Sequence, residues 1–267
     1  MVFETYRLIS QMEGRIVTTS PFRIGAGKGL KIMESDLPVV KNASDVPVIP
    51  GSSLKGFFRG TLQRLLKLQN LDENILDEMF GSVADQAHAS ALLFHELVAE
   101  KYVLSERKHI AIDLERGSVR RGGLFNVECV MDGATFSGKI FTARNLSVKG
   151  IAMLKAVMDF ANSGLSKLGG FKSRGYGSVE FKVDKFRLIL PGKTVEDLRA
   201  DLKINGLLPK SFDTTRIKLK DNEVTVDNAI VEAEVKSAPS FFGVEIVVSG
   251  ENVGKLFDEI LESVSGV

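Results

Sequence analysis

Two stretches of helical spacing, each set between segments of β-favouring residues, constrain this chain more than any other feature. In residues 53–68, Leu54, Phe57, Phe58, Leu62, Leu65 and Leu66 share one face, while Lys55, Arg59, Gln63 and Lys67 fall mainly on the other. The second helix is marked by Leu154, Val157, Met158, Ala161 and Leu165, with Ser147 as a candidate cap. Before the first helix, residues 7–19 alternate loosely and predict one long or two short strands. Between the helices, residues 127–131 and 135–141 flank Asp132-Gly133, the strongest hairpin signal in the chain. After the second, a glycine-rich loop leads into a strand over 178–190. The order β, α, β, β, α, β is the split βαβ arrangement, in which two helices cover one face of an antiparallel sheet. The expected class is therefore α+β, with an RRM-like (ferredoxin-like) antiparallel core.

A length of 267 residues fits one large domain, or a core with an appendage. The core is expected over 1–190. Within it 71–123, holding a short helix near 72–80 and then polar, charged sequence, reads as an insertion. Residues 191–267 predict a folded C-terminal α+β extension: a helix near 194–202, strands near 214–220, 223–235 and 241–248, and a last helix with Val253, Leu256, Phe257, Ile260, Leu261 and Val264. Charge divides the same way. Residues 1–190 carry 26 basic and 20 acidic side chains, whereas 191–267 carry 9 and 14. A basic body with an acidic tail suits a polyanion on one face and protein on another. No apolar run approaches the roughly 18 residues of a membrane span, and Glu4, Arg7 and Glu13 stand where a signal peptide would be apolar. The single cysteine, Cys129, excludes an internal disulfide and a multi-cysteine zinc site, so a cytoplasmic location and no membrane partner are expected. His88, His95 and His109 lack metal-ligand spacing with cysteine; His88 and His95 fit a shared helix face.

Three segments carry chemistry. In the first, Pro50-Gly51-Ser52-Ser53-Leu54-Lys55-Gly56, a turn opens the first helix, with Ser52 or Ser53 as cap and Lys55 and Arg59 in its first turns. Backbone donors, hydroxyls, the helix dipole and two cations together suit a phosphate; a capped surface helix is the alternative. The second is Gly169-Gly170-Phe171-Lys172-Ser173-Arg174-Gly175-Tyr176-Gly177. Its glycines let main chain approach a phosphodiester, with Lys172 and Arg174 as cations; otherwise it is a plain connection between helix and strand. It is no P-loop, because the Gly-Lys-Ser/Thr ending that opens a helix is missing. The third is Phe22-Arg23-Ile24-Gly25-Ala26-Gly27-Lys28, followed by Glu34-Ser35-Asp36-Leu37-Pro38-Val39.

The first two segments, paired in this order, resemble the RAMP superfamily of CRISPR-associated proteins, and within it the backbone subunit of type III (Csm/Cmr) effector complexes, over roughly 7–190. The resemblance implies a guide-RNA-binding subunit that assembles with further copies of itself and with other effector subunits. RNA contacts would fall to Arg23, Lys28, Ser52, Ser53, Lys55, Arg59, Gly170, Lys172, Arg174 and Tyr176. It also implies that an aspartate before a Pro-Val pair, here Asp36, cleaves complementary target RNA with Mg²⁺ or another divalent cation, and no organic cofactor. As plain sequence, Asp36 reads first as a turn residue before Leu37-Pro38, and it is the resemblance that favours the catalytic reading. Family members often carry histidine where this chain has Arg23, and arginine cannot exchange protons near neutral pH. The insertion would include a β-hairpin thumb, in which Arg116, Arg120 and Arg121 could grip phosphates or form a solvated loop. With 17 Phe, 3 Tyr and no Trp, and without the aromatic pattern on which an RRM stacks bases, binding through phosphates and backbone shape is expected. A non-catalytic scaffold is the alternative. A guide-processing endoribonuclease fits less well, since residues 1–87 hold no histidine to act as general acid or base.

Overall fold

The alternation in residues 7–19 becomes one strand, β1 (Ile9–Thr18), which buries Met12 and Ile16 and turns Gln11, Glu13 and Arg15 the other way. The computed structural model describes residues 5–29, 35–82, 88–237 and 243–265. After β1 come β2 (Val48–Ile49), α1 (Gly51–Leu68), α2 (Asn74–Phe80), β3 (Leu92–Phe94), β4 (Leu97–Lys101), β5 (Leu104–Asp113), β6 (Ser118–Val130), β7 (Thr135–Arg144), α3 (Val148–Asn162) and β8 (Val179–Leu190). The remainder forms α4 (Val195–Arg199), β9 (Leu202–Ile204), β10 (Thr215–Lys220), β11 (Glu223–Val226), β12 (Ala229–Glu232), β13 (Glu234–Ser237), β14 (Val244–Ser249) and α5 (Glu251–Ser265).

The main sheet runs β13-β14-β8-β1-β7-β4-β2, with β3 also on β7, and its pairings are antiparallel. Its centre, β8-β1-β7 and then β3 with β4, has the split βαβ order, so the α+β, RRM-like fold read from the sequence is the fold observed. Helices α1, α3 and α5 cover one face. Phe58 of α1 meets Phe94 at 5.2 Å and Phe181 at 5.8 Å between ring centroids, and Phe186 of β8 meets Phe257 of α5 at 4.9 Å. Such pairs add about 0.5–1.5 kcal/mol each beyond their buried area. The phenylalanines thus go mostly to the core. Among the described residues the opposite face bears ion pairs, Arg15–Asp184 at 2.7 Å and Arg187–Glu245 at 2.6 Å, rather than a platform of aromatic rings.

Several local expectations change. Asp132-Gly133 is a turn, yet β6 and β7 do not pair: β6 pairs with β5 in a separate two-stranded sheet, and β7 with β1, β3 and β4. The end of β1 takes the polar groups of the turn, Gly133 N–H donating to Thr18 C=O and Ala134 N–H to Thr18 Oγ1, so the turn passes the chain between sheets. Of the stretch 71–123, β3 and β4 belong to the main sheet, and β5 with the first part of β6 makes the hairpin. The expected strand over 223–235 is broken by a turn at Asp227-Asn228, with Asp227 at φ 54°, into β11 and β12. They join β9 and β10 in a four-stranded sheet, while β13, β14 and α5 return to the main sheet. The start of the strand expected over 241–248 lies outside the described residues, as does Glu34. His88 and His95 share no helix: His88 lies in an isolated bridge, and His95 links β3 to β4. Among the described residues no helix is long and apolar enough to cross a membrane.

Candidate nucleic-acid interface

Helix α1 starts two residues earlier than its apolar spacing predicts. Pro50 is its N-cap, with no side-chain cap, because proline's fixed φ and missing N–H suit a helix start; Ser52 and Ser53 lie inside the first turn. Gly51 is needed there, since a Cβ would sit 2.3 Å from the Phe94 carbonyl oxygen of β3. Helix α3, by contrast, is capped as expected: Ser147 Oγ accepts from Gly150 N–H at 3.1 Å.

The glycine-rich loop reaches the same end of α1. Gly170 N–H donates to Arg23 C=O at 2.9 Å, and Gly169, at φ +89°, would place a Cβ 2.3 Å from that oxygen. Only glycine lets the two backbones come so close. Between them and α1 lies a cleft of about 330 Å³, lined among others by Gly25, Ser53, Gly56, Gly169, Gly170 and Lys172. Segments far apart in sequence therefore share one groove. Gly56 faces open space, with nothing within 4 Å of a Cβ built on it. An apolar cleft of about 360 Å³, lined by Leu62, Leu66, Met153, Phe160, Leu261 and Val264 among others, lies at the C-terminal end of α1; it lacks cations.

Not every expected contact residue points at this groove. Ser52 is exposed and Lys55 half-buried, and neither forms an ion pair or side-chain hydrogen bond among the described residues. Arg59 is occupied elsewhere: its guanidinium pairs with Asp77 of α2 at 2.6 Å and donates to Gly81 C=O at 2.9 Å. Of the two α1 cations expected to act together, Arg59 is therefore taken by α2, which the second turn of α1 faces, and Lys55 is left without a side-chain partner among the described residues. Arg174 is exposed, its guanidinium 4.8 Å over the Phe171 ring. Arg23 and Tyr176 are buried, 6% and 2% exposed, contrary to what a surface phosphate contact requires. Arg23 donates to Leu37 C=O at 3.3 Å and Pro38 C=O at 3.2 Å and lies 5.0 Å over Phe171. Burial pushes its pKa down, though a guanidinium stays charged. Tyr176 hydroxyl meets His109 Nε2 at 3.1 Å, and the His109 ring stacks on Phe171 at 5.4 Å. Burial, then Arg174, Arg107 and Arg23, hold the His109 imidazole below its usual pKa.

The third segment is a short ladder. Val40 N–H donates to Ile24 C=O, Ala26 N–H to Pro38 C=O and Gly29 N–H to Asp36 C=O, all at 2.8–3.0 Å. Lys28 is exposed on the arm opposite Asp36. The ladder rests on the base of β6: Leu37 bridges Val127, and Glu128 accepts from Val39 N–H and Lys41 Nζ, both at 2.9 Å. Asp36 is exposed, and its Oδ2 accepts from Asn126 N–H at 2.7 Å. The charged run closes in a turn at Leu114–Gly117, where Asp113 Oδ1 accepts from Glu115 and Arg116 N–H. Arg116 sits in that turn and Arg120 and Arg121 follow it on β6, all exposed; Leu114 is 95% exposed. Nothing in the sequence marks His109, Phe171, Arg107 and Asn126 as contact residues, because their importance comes from the hairpin docking on the glycine loop, and no local motif encodes that docking.

A split βαβ sheet with a glycine-loop groove at one end of its first helix defines the class of this protein, and comparison agrees. The model of the RAMP superfamily matches residues 15–180, and the chain belongs to that superfamily. It is similar to two proteins named CRISPR system Cms endoribonuclease Csm3. That of Methanocaldococcus jannaschii is 29% identical over 198 residues, 64% of this chain and 77% of the relative. That of Enterococcus italicus is 26% identical over 202 residues, 66% and 91%. In fold it is similar to a chain of the type III-B Cmr-beta complex bound to cognate target RNA, with a TM-score of 0.50, 14% identity, and coverage of 65% of this chain and 96% of that one.

Proposed function

We propose that this chain is a guide-RNA-binding backbone subunit of a type III CRISPR effector complex, and that Asp36 cuts target RNA paired to the guide. One observation carries the reading: the Ser53 end of α1 and the Gly169–Lys172 loop, more than a hundred residues apart, line one groove with Gly25. Open backbone, one hydroxyl and nearby cations suit a sugar-phosphate strand held without regard to sequence. Ser53, Lys55, Gly170, Lys172 and Arg174 are its contacts, and Arg116, Arg120 and Arg121 on the hairpin face the guide–target duplex. The two Csm3 relatives carry endoribonuclease in their names, which supports the cutting activity. Further copies along one guide, through head-to-tail contacts, make an open helical array.

Among the described residues no three His, Cys, Asp or Glu side chains are grouped to hold a metal. An exposed carboxylate with one oxygen anchored on Asn126 N–H fits a Mg²⁺ shared with RNA phosphate oxygens, since Mg²⁺ commonly takes one or two carboxylates and substrate phosphates. When bound, the ion would neutralise charge developing at phosphorus. The chain's own part is to fix the carboxylate: the Gly29–Asp36 bond sets its backbone, and Asn126 its side chain. Target cleavage by complexes assembled with Asp36→Ala tests the assignment. Loss of cutting with guide binding retained is expected; undiminished cutting leaves an RNA-binding scaffold.

A further inference from the structure

We infer that Arg23 is a positioning residue for Asp36 and does not itself touch RNA. This rests on the proposed cutting role of Asp36 and adds what holds that carboxylate in register with the guide groove.

Arg23 stands where two functional parts meet. Its backbone carbonyl accepts from Gly170 N–H at 2.9 Å, so its main chain belongs to the glycine loop's side of the groove. Its side chain runs the other way: one terminal nitrogen donates to both Leu37 C=O and Pro38 C=O, the two carbonyls immediately after Asp36. The guanidinium is kept there by burial and by the Phe171 ring at 5.0 Å, and Gly25 supplies the room, since a Cβ at 25 would lie 2.8 Å from the same terminal nitrogen. With the residue 6% exposed, little of its surface is open to a phosphate. Proline at 38 has no N–H to donate, so the arm is held by Leu37 N–H on Asn126 C=O and by its carbonyls, Leu37 C=O accepting from Glu128 N–H and Pro38 C=O from Ala26 N–H. Arg23 adds a second bond to each of those two carbonyls. Both bonds come from one terminal nitrogen, and the planar guanidinium is held in place for them by lying over the Phe171 ring; a lysine ammonium is a point charge with no plane to lay on that ring, so lysine is a poor replacement. The arrangement ties the carboxylate arm to the loop that seats the guide, and displacement of a reacting group by about 1 Å can cost on the order of a hundredfold in rate.

The test uses complexes assembled on guide RNA with Arg23→Lys, Arg23→Ala or Asp36→Ala. Three quantities are read: guide affinity, single-turnover target cleavage at saturating Mg²⁺, and hydrogen exchange of the Ala26 and Val40 amides. Arg23→Lys is expected to keep guide affinity within twofold of wild type, to cut at least tenfold more slowly, and to exchange those amides several times faster. Guanidinium ion at tens of millimolar is expected to restore part of the rate to Arg23→Ala and none to Asp36→Ala. Parallel loss of guide binding and cutting, including failure to assemble, would overturn the inference, as would unchanged cutting by Arg23→Lys. Wild-type cutting by Asp36→Ala would instead remove the catalytic reading, whatever the Arg23 variants do.

Discussion

Replacing Arg174 and Arg59 separately by alanine distinguishes a phosphate contact from a structural ion pair, although both are cations next to the groove in sequence. Arg174 is exposed, stacked on Phe171, and without a carboxylate partner among the described residues. Arg59 is held by Asp77 and the Gly81 carbonyl. Each phosphate contact on a single strand contributes about 0.7 to the slope of log affinity against log salt. Arg174→Ala should therefore lower that slope by about 0.7, so that its affinity deficit shrinks by about 2.6-fold between roughly 50 and 200 mM salt. Arg59→Ala should leave the slope unchanged. Its cost falls on the fold: a half-exposed pair is worth up to about 1 kcal/mol after solvent screening, or a fall of about 2–4 °C in Tm. Fluorescence anisotropy of labelled guide RNA across a salt series, with thermal melts of the same samples, reads both. An equal loss of slope in the two variants would refute the assignment of Arg59 to α2.

Gly56→Ala has opposite expected effects on stability and binding. Mid-helix glycine costs about 0.8–1.0 kcal/mol relative to alanine, and a Cβ there meets nothing within 4 Å, so Tm should rise while guide affinity falls severalfold because the methyl enters the groove. The His109 contact should be pH-sensitive. Its folded pKa is lowered by partial burial and by Arg174, Arg107 and Arg23, with the Tyr176 hydroxyl and the Phe125 and Phe171 rings also against it. The unfolded chain then binds the proton more readily, so stability is full above the ordinary histidine value of about 6.5 and falls as pH drops through the lowered one. Urea midpoints at neutral and acidic pH should differ less in His109→Gln than in wild type; an equal difference would contradict this.

What was legible in the sequence was what local spacing encodes. Helical periodicity over 53–68 and 154–165 and the alternation in 7–19 give the split βαβ order; the pairing of the two glycine-bearing segments, which line one cleft, comes from the resemblance and not from spacing. Partners that depend on tertiary docking were not legible. Asp132-Gly133 has the chemistry of a hairpin turn, but Thr18 and Phe22 claim the backbone groups around it. Arg59 reads as a groove cation until α2 brings Asp77 to it, and Tyr176 as a surface ring until the hairpin brings His109. Arg23 reads as an RNA contact from the resemblance and from its charge. Its burial follows from Pro38 and Leu37 offering carbonyls that lie more than a dozen residues away.

Ultraviolet crosslinking of the assembled subunit to guide RNA, followed by mass spectrometry of the nucleotide-bearing peptides, measures the groove directly. Adducts are expected within 51–56 and 169–177. Adducts confined to the ion-paired sheet face around Arg15, Lys182 and Arg187, with none in either segment, would contradict a shared groove for one RNA strand.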